Sequence, residues 1–259
     1  MQDDVSGIDL KVLIFDTDFY ALQAMNSFLA WDRRTRVIHL AETLADMWRF
    51  LETAHETELP DAVIFDIDQH TQAETLTAPL HHLAHLLHSK SLYRHPRRQI
   101  LCTLSDLGRL QVPVVEAILN SQATGLVLKG DIRLQIAWGL VFALHHDFVL
   151  TRSLVPFCRE LKHPRLAQAS VLPRQRDYPD MTERVREAIK HTVIEGMPAH
   201  LAAHEMRLSQ HTIRSYVREG YRIMENHDTT RYPQDMTPQE KAFMRFTAFD
   251  EDEPNHTVR

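Results

Sequence analysis

Cysteine and glycine are scarce in this 259-residue chain, its 29 Lys and Arg are outnumbered by 35 Asp and Glu, and none of its apolar runs is long. Only Cys102 and Cys158 occur, one inside an apolar strand-like run and one just beyond Pro156, with no metal-like spacing between them. A disulfide framework is not expected, and both read as buried thiols. The seven glycines form no nucleotide-binding loop, which argues against a nucleotide-dependent phosphotransfer enzyme or hydrolase. No apolar run approaches the roughly 20 residues that span a bilayer, and the opening MQDDVSGIDL is acidic where a signal peptide is basic and then apolar. Cytoplasmic residence with no membrane role is the expectation. The net charge of -6 opposes indiscriminate coating of nucleic acid but leaves room for a basic face on one module. The acidic run Asp250-Glu251-Asp252-Glu253 inflates that total and reads as a solvated tail.

The chain does carry apolar residues, 44% of the total, enough to bury a substantial core and, with this length, to form two domains. Lys11-Val12-Leu13-Ile14-Phe15 is a continuous apolar run bounded by acids, as in a strand buried on both faces. Leu22, Met25 and Leu29, with Phe28 beside them, then form a helical stripe, followed by a strand at Arg36–Leu40 and a helix at Leu44–Leu51. The alternation continues through strands at Ala62–Phe65, Gln99–Cys102 and Gly125–Leu128, with helices around His81–His88, at Val114–Asn120 and at Arg133–Leu144. Five strand and helix pairs imply a doubly wound α/β domain over residues 1–150, whose chemistry collects at the carboxyl ends of the strands. From there Pro156, Pro164, Pro173 and Pro179 break the pattern, so residues 151–180 read as a linker. Residues 181–259 read as a helical domain, with helices near Thr182–Glu195, Pro198–Met206 and Gln210–Glu225. Thr237-Pro238-Gln239-Glu240 is a capping box opening a further helix to about Phe249, whose Phe243, Met244, Phe246 and Phe249 either complete the domain core or form a dimer contact.

Polar residues cluster just past the strands. Asp16 and Asp18 follow the first, Asp66 and Asp68 the third, Thr103 and Ser105 the fourth, and Lys129 ends the fifth. Their convergence would place carboxylates, a hydroxyl and an ammonium in one pocket, suited to a divalent cation or to a carboxylate that accepts a phosphoryl group. The order of elements, Phe65-Asp66-Ile67-Asp68 and Gly125-Leu126-Val127-Leu128-Lys129 resemble the receiver domain of two-component response regulators over residues 10–150. That resemblance implies a flavodoxin-like fold, Asp66 as phosphoacceptor, Asp16 and Asp66 as ligands of a Mg²⁺ ion, Asp18 as a second pocket acid, and Lys129 as phosphate-contacting lysine. The switch hydroxyl is either Thr103 or Ser105. Where receivers carry two consecutive acids, this chain has Asp16 and then Thr17, and the turn after the phosphoacceptor is Gln69-His70-Thr71. His81, His85 and His88 share a helical face that could suggest Zn²⁺, but no cysteine or acid completes such a site, and a solvated face beside the Leu83, Leu86 and Leu87 stripe is the reading.

The most specific motif lies near the C-terminus. In Leu208-Ser209-Gln210-His211-Thr212-Ile213-Arg214-Ser215-Tyr216-Val217, Ser209 is an N-cap, Ile213 and Val217 share one face, and Arg214, Arg218 and Arg222 share another. Residues 181–224 resemble the helix-turn-helix of the NarL/LuxR family, with Glu195-Gly196 as the turn after the first helix and Leu201-Ala202 in the scaffold helix. His145–Thr151 resembles the extension that follows the receiver in that family. The resemblance implies an all-α DNA-binding domain whose second helix enters the major groove. Arg214 is the candidate base reader; Ser209, Gln210, His211, Thr212 and Ser215 lie toward neighbouring edges or phosphates; Arg218 and Arg222 hold phosphates. Leu201, Ala202, Leu208, Ile213 and Val217 are expected to pack together, and Gly220 costs about 1 kcal/mol of helix propensity. The implied protein is a DNA-binding transcription regulator, not an enzyme, with duplex DNA, a second copy of itself and a sensor histidine kinase as partners. Two other readings stand beside it: a pseudo-receiver regulator that is not phosphorylated, and a protein-interaction adaptor without its own DNA site.

Overall fold

The apolar runs become the interior of one parallel sheet. The computed structural model describes residues 7–70, 72–89 and 98–250, which fall into two units, residues 8–173 and residues 174–250, the latter together with Gly7. In the first unit β1 (Leu10–Phe15), α1 (Phe19–Ala30), β2 (Thr35–Ala41), α2 (Leu44–Thr53), β3 (Ala62–Asp66), α3 (Ala73–Ser89), β4 (Gln99–Leu104), α4 (Val112–Asn120) and β5 (Gly125–Leu128) alternate. Every residue of β3 and β4 is buried, which is why Ala62–Phe65 and Ile100–Cys102 are apolar throughout and do not alternate. Neighbours run β2-β1-β3-β4-β5, so the winding reverses between β1 and β3 and their carboxyl ends open a crevice. The stripe Leu22, Met25 and Leu29 buries α1, and Phe15 packs on Phe65 with ring centroids 5.0 Å apart. Leu83, Leu86 and Leu87 are buried on α3, while His81, His85 and His88 are exposed.

The sheet does not stop at β5. After α5 (Lys129–Ile132) and α6 (Ile136–Ala143) come β6 (Val149–Leu150), α7 (Val155–Arg159), α8 (Pro164–Ala167) and β7 (Ser170–Val171), and the two short strands extend the sheet to seven, all parallel. This corrects the linker reading of residues 151–180, because Pro156 and Pro164 sit in the first turns of α7 and α8, where a missing N–H costs no hydrogen bond. Gly125 makes the extension geometrically possible. A Cβ there would lie 2.5 Å from Val149 Cγ2, 2.7 Å from Leu101 Cδ1 and 2.9 Å from the Val149 carbonyl oxygen. The helix expected over Arg133–Leu144 is present as a 3-10 turn at Arg133–Gln135 that continues into α6, with Arg133 at φ 30° separating it from α5. Cys102 and Cys158 are buried free thiols.

The second unit is helical. α9 (Glu183–Ile189) runs into a π-helical turn at Lys190–Ile194, then come α10 (Ala199–Glu205), α11 (Gln210–Asn226) and α12 (Pro238–Thr247). Gly196 reverses the chain before α10 with φ 63°. Ala188, Ala202, Ala203, Met206 and Ile213 form its small core, with Leu208, Tyr216 and Val217 packed against it. Leu201 is the exception to the expected packing: it is 49% exposed, because the adjacent Ala202 and Ala203 take the inner face of α10. Gly220 is buried against α9, and a Cβ there would meet Ile189 Cγ1 at 2.6 Å and Cδ1 at 2.7 Å. Its propensity cost is therefore the condition for close helix approach. The Thr237 capping box opens α12 as expected, and Phe243, Met244, Phe246 and Phe249 are all buried, so these residues complete the unit's core. The acids of the terminal run beyond Asp250 lie outside the described residues. Among the described residues, no helix is long and apolar enough to cross a membrane.

Candidate functional site

Asp16, Asp66, Thr103 and Lys129 reach one place because each stands at the carboxyl end of a different neighbouring strand. Asp66 is the last residue of β3, Asp16 follows β1, Lys129 follows β5, and Thr103 pairs with Asp66 across β3 and β4. Lys129 Nζ donates to Asp66 Oδ1 at 2.7 Å and to Asp68 Oδ2 at 3.1 Å. It also lies 2.7 Å from Asp16 Oδ2, an ion pair without hydrogen-bond alignment, so that buried oxygen is neutralised but accepts no hydrogen bond. Three carboxylates thus share one ammonium. Asp16 is 0% and Asp66 2% exposed, so their charges are poorly hydrated.

That imbalance appears in the acidities. Burial is the main reason the Asp66 pKa rises to about 7; Lys129 opposes the rise, and the charges of Asp16 and Asp68 add to it. Burial would also raise Asp68, but hydrogen bonds from Ser105 and the Lys129 charge outweigh it and hold this carboxyl below the usual range. For Lys129, burial favours the neutral amine, yet the close contacts and negative charges of Asp16 and Asp66 prevail and keep the ammonium firmly protonated. Near neutrality Asp66 therefore exists in both forms. Its Oδ2 receives only a long, 3.5 Å bond from the Thr17 hydroxyl and is the freer of the two oxygens.

The remaining candidates are placed differently. Asp18 is exposed, and its carboxylate accepts from the Tyr20 and Ala21 amides at 2.8 and 3.2 Å as the N-cap of α1. This corrects its assignment to the pocket: it is spent on a helix end, and its link to the site is its backbone N–H, which donates to Asp16 Oδ1 at 2.9 Å. Thr103 is fully buried with no hydrogen-bond partner for Oγ1, whereas Ser105 is exposed and its N–H donates to Asp68 Oδ1 at 2.8 Å. Sequence reasoning named Asp68 without a role; here it joins β4's exit to Lys129. The buried donors Asp16 Oδ2 and Asp66 Oδ2 are hard oxygens without strong hydrogen bonds, a set that fits Mg²⁺ held by two carboxylates and completed by water. Among the described residues no cluster of three or more His, Cys, Asp or Glu side chains is arranged to hold a metal.

A second candidate surface lies on α11. Ser209 caps it, accepting from the Thr212 N–H at 3.0 Å, after a turn in which Arg207 takes φ 55°. Ile213, Gly220, Ile223 and Met224 bury one side. Gln210, His211, Arg214, Ser215, Arg218 and Arg222 are exposed on the other, with Thr212 half-buried at the cap. Arg218 Nε donates to the Arg214 carbonyl at 3.2 Å, and none of the three arginines forms an ion pair among the described residues.

No known family model matches the chain, and no curated protein matches it. Solved structures do. The chain is similar to response regulators. The RcsB response regulator of Salmonella typhimurium aligns at 13% identity over 87% of this chain and 95% of its own, with a TM-score of 0.45. The response regulator ChrA of a heme-sensing two-component system aligns at 15% identity over 92% of this chain and 96% of its own, with a TM-score of 0.38. The signal receiver domain of NarL from Mycobacterium tuberculosis covers 53% of this chain and 97% of its own at 16% identity, with a TM-score of 0.39.

Proposed function

We propose that this chain is a DNA-binding transcription regulator of the response-regulator type, in which residues 8–173 receive a signal and α11 reads DNA. The observation that carries the reading is the exposed row Arg214, Arg218 and Arg222 on a helix whose opposite side is buried and whose start is capped. Unpaired guanidiniums on a rigid helix suit phosphates and guanine edges, and the four-residue turn 206–209 between α10 and α11 suits a helix-turn-helix. A homodimer belongs to this reading, since two-fold pairing would set two α11 helices about one DNA turn apart. The test is a titration of the intact protein with duplex DNA across salt concentrations. A steep salt slope is expected, and Arg214→Ala should erase preference among sequences while Arg218→Ala weakens all sequences alike. Shallow salt dependence would point instead to an adaptor that contacts protein.

Control of that activity is assigned to Asp66. In its ionised form, the Asp66 carboxylate would attack, through the oxygen not committed to Mg²⁺, the phosphorus of a phosphodonor such as a sensor histidine kinase's phosphohistidine, forming an aspartyl phosphate as the donor's bond to phosphorus breaks. Lys129 would stay against the new oxygens, and Thr103 or Ser105 would follow them. Mg²⁺ held by Asp16 and Asp66 would offset phosphate charge. A phosphorylation-independent pseudo-receiver is the second reading, favoured by Thr17 in the second acid position and by Asp18 being committed to capping.

A further inference from the structure

A cavity of about 540 Å³ opens at the amino end of the sheet, the end opposite the acids, where α3 and α4 finish and β4 begins. Its walls include Arg98, Asn120, Ser121, Gln122, Asp147 and Arg165. That volume is in the range of small-molecule sites. The two arginines differ. Arg165 is consumed by the fold: Nη1 donates to the Leu119 and Ser121 carbonyls, both at 2.9 Å, Nη2 donates to the Ala123 and Asp147 carbonyls, and the guanidinium lies over Phe148. Arg98 is only 4% exposed, yet among the described residues it donates one hydrogen bond, from Nη1 to the Leu87 carbonyl, and its buried Nε has no partner there. Burial lowers the Arg98 pKa despite the charges of Asp61 and Glu56. A buried guanidinium that lacks both a counter-ion contact and most of its hydrogen bonds is costly to maintain, and an oxyanion supplies both at once.

We propose that this cavity binds a small ligand through an oxyanion head, phosphate or carboxylate, received by Arg98. Asn120, Ser121 and Gln122 offer neutral polar contacts beside it. Asp147 on the same wall disfavours a ligand that is anionic at every end, so the class is a monophosphate or monocarboxylate with a neutral or donor-bearing body. The site is separate from Asp66 and does not depend on the reading of α11.

The test is a titration of the ¹⁵N-labelled intact protein with inorganic phosphate and, separately, acetate, at constant ionic strength, followed by amide and Arg98 Nε chemical shifts. Saturable shifts at Arg98 and residues 120–122 are expected, and whichever probe binds more tightly identifies the head group. Gln122→Glu, an exposed change that adds a negative charge to the wall, should weaken binding about tenfold. Absence of saturation at tens of millimolar with both probes, indifference to Gln122→Glu, or shifts confined to the surroundings of Lys129 would each overturn the proposal.

Discussion

Replacing Asp66 by Asn should stabilise the first unit, and by an amount that grows with pH. Asp66 has an ordinary pKa of 3.8 and a folded value of about 7. Because the folded value is raised, the native state holds its proton where the unfolded chain has lost it, so stability falls as pH rises between those values. Below pH 4 both states are protonated and no penalty exists; above pH 7 both are ionised and the penalty is complete. At about 1.4 kcal/mol per pH unit the full penalty is about 4 kcal/mol, of which about 3 kcal/mol accrues between pH 5 and pH 8. Asparagine remains neutral and escapes it, while its amide oxygen still accepts from Lys129. All three tryptophans, Trp31, Trp48 and Trp138, lie within residues 8–173, so their fluorescence reports urea unfolding of this unit alone. The measurement compares Asp66→Asn with the parent protein at both pH values with EDTA present. A constant difference across pH, or an Asp66→Asn protein that loses ground as pH rises, would refute the account of a desolvated carboxylate outnumbering its ammonium.

Other outcomes follow from contacts already described. Gly125→Ala should cost about 3 kcal/mol in the same fluorescence assay, because its Cβ would press on the Val149 backbone, which cannot move without breaking strand pairing. Gly220→Ala should gain about 1 kcal/mol of helix propensity yet lose about 1–3 kcal/mol to overlap with Ile189, which is fully buried, so a net loss is expected in the far-UV transition that tryptophan fluorescence does not follow. Incubation with Mg²⁺ and a small phosphodonor should give a phosphate adduct by mass spectrometry that is lost in Asp66→Ala. No adduct under conditions that label ordinary receivers would favour the pseudo-receiver.

The strands of the sheet's middle were legible because burial on both faces leaves only apolar residues, as in Ala62–Phe65 and Ile100–Cys102. The placement of Asp66, Asp16 and Lys129 followed, since strand ends in a parallel sheet share one edge. β6 and β7 escaped because two residues each are too few for any periodicity, and their position is set by main-chain bonds such as Val149 N–H to the Thr124 carbonyl. The prolines near them carried an ambiguous signal: the residue that ends one helix also starts another. Asp18 was misplaced although its position directly before Phe19–Ala30 is an N-cap signature, because spacing from Asp16 was given more weight than the helix that follows. Gly220 looked unfavourable by propensity alone; only packing against Ile189 explains it.

The two short strands also change how the molecule protects itself from its own kind. Without them the sheet would end on Gly125-Leu126-Val127-Leu128, an apolar strand with an open row of main-chain donors and acceptors, which is a template for strand addition by another chain. With them, Gly125 and Leu126 are paired, the Leu128 N–H donates to Thr151 Oγ1, and the outermost strand is two residues long, too short to recruit a partner. Residues 149–173 therefore act as a guard against self-association, and a truncation after residue 148 would convert the unit into one that aggregates.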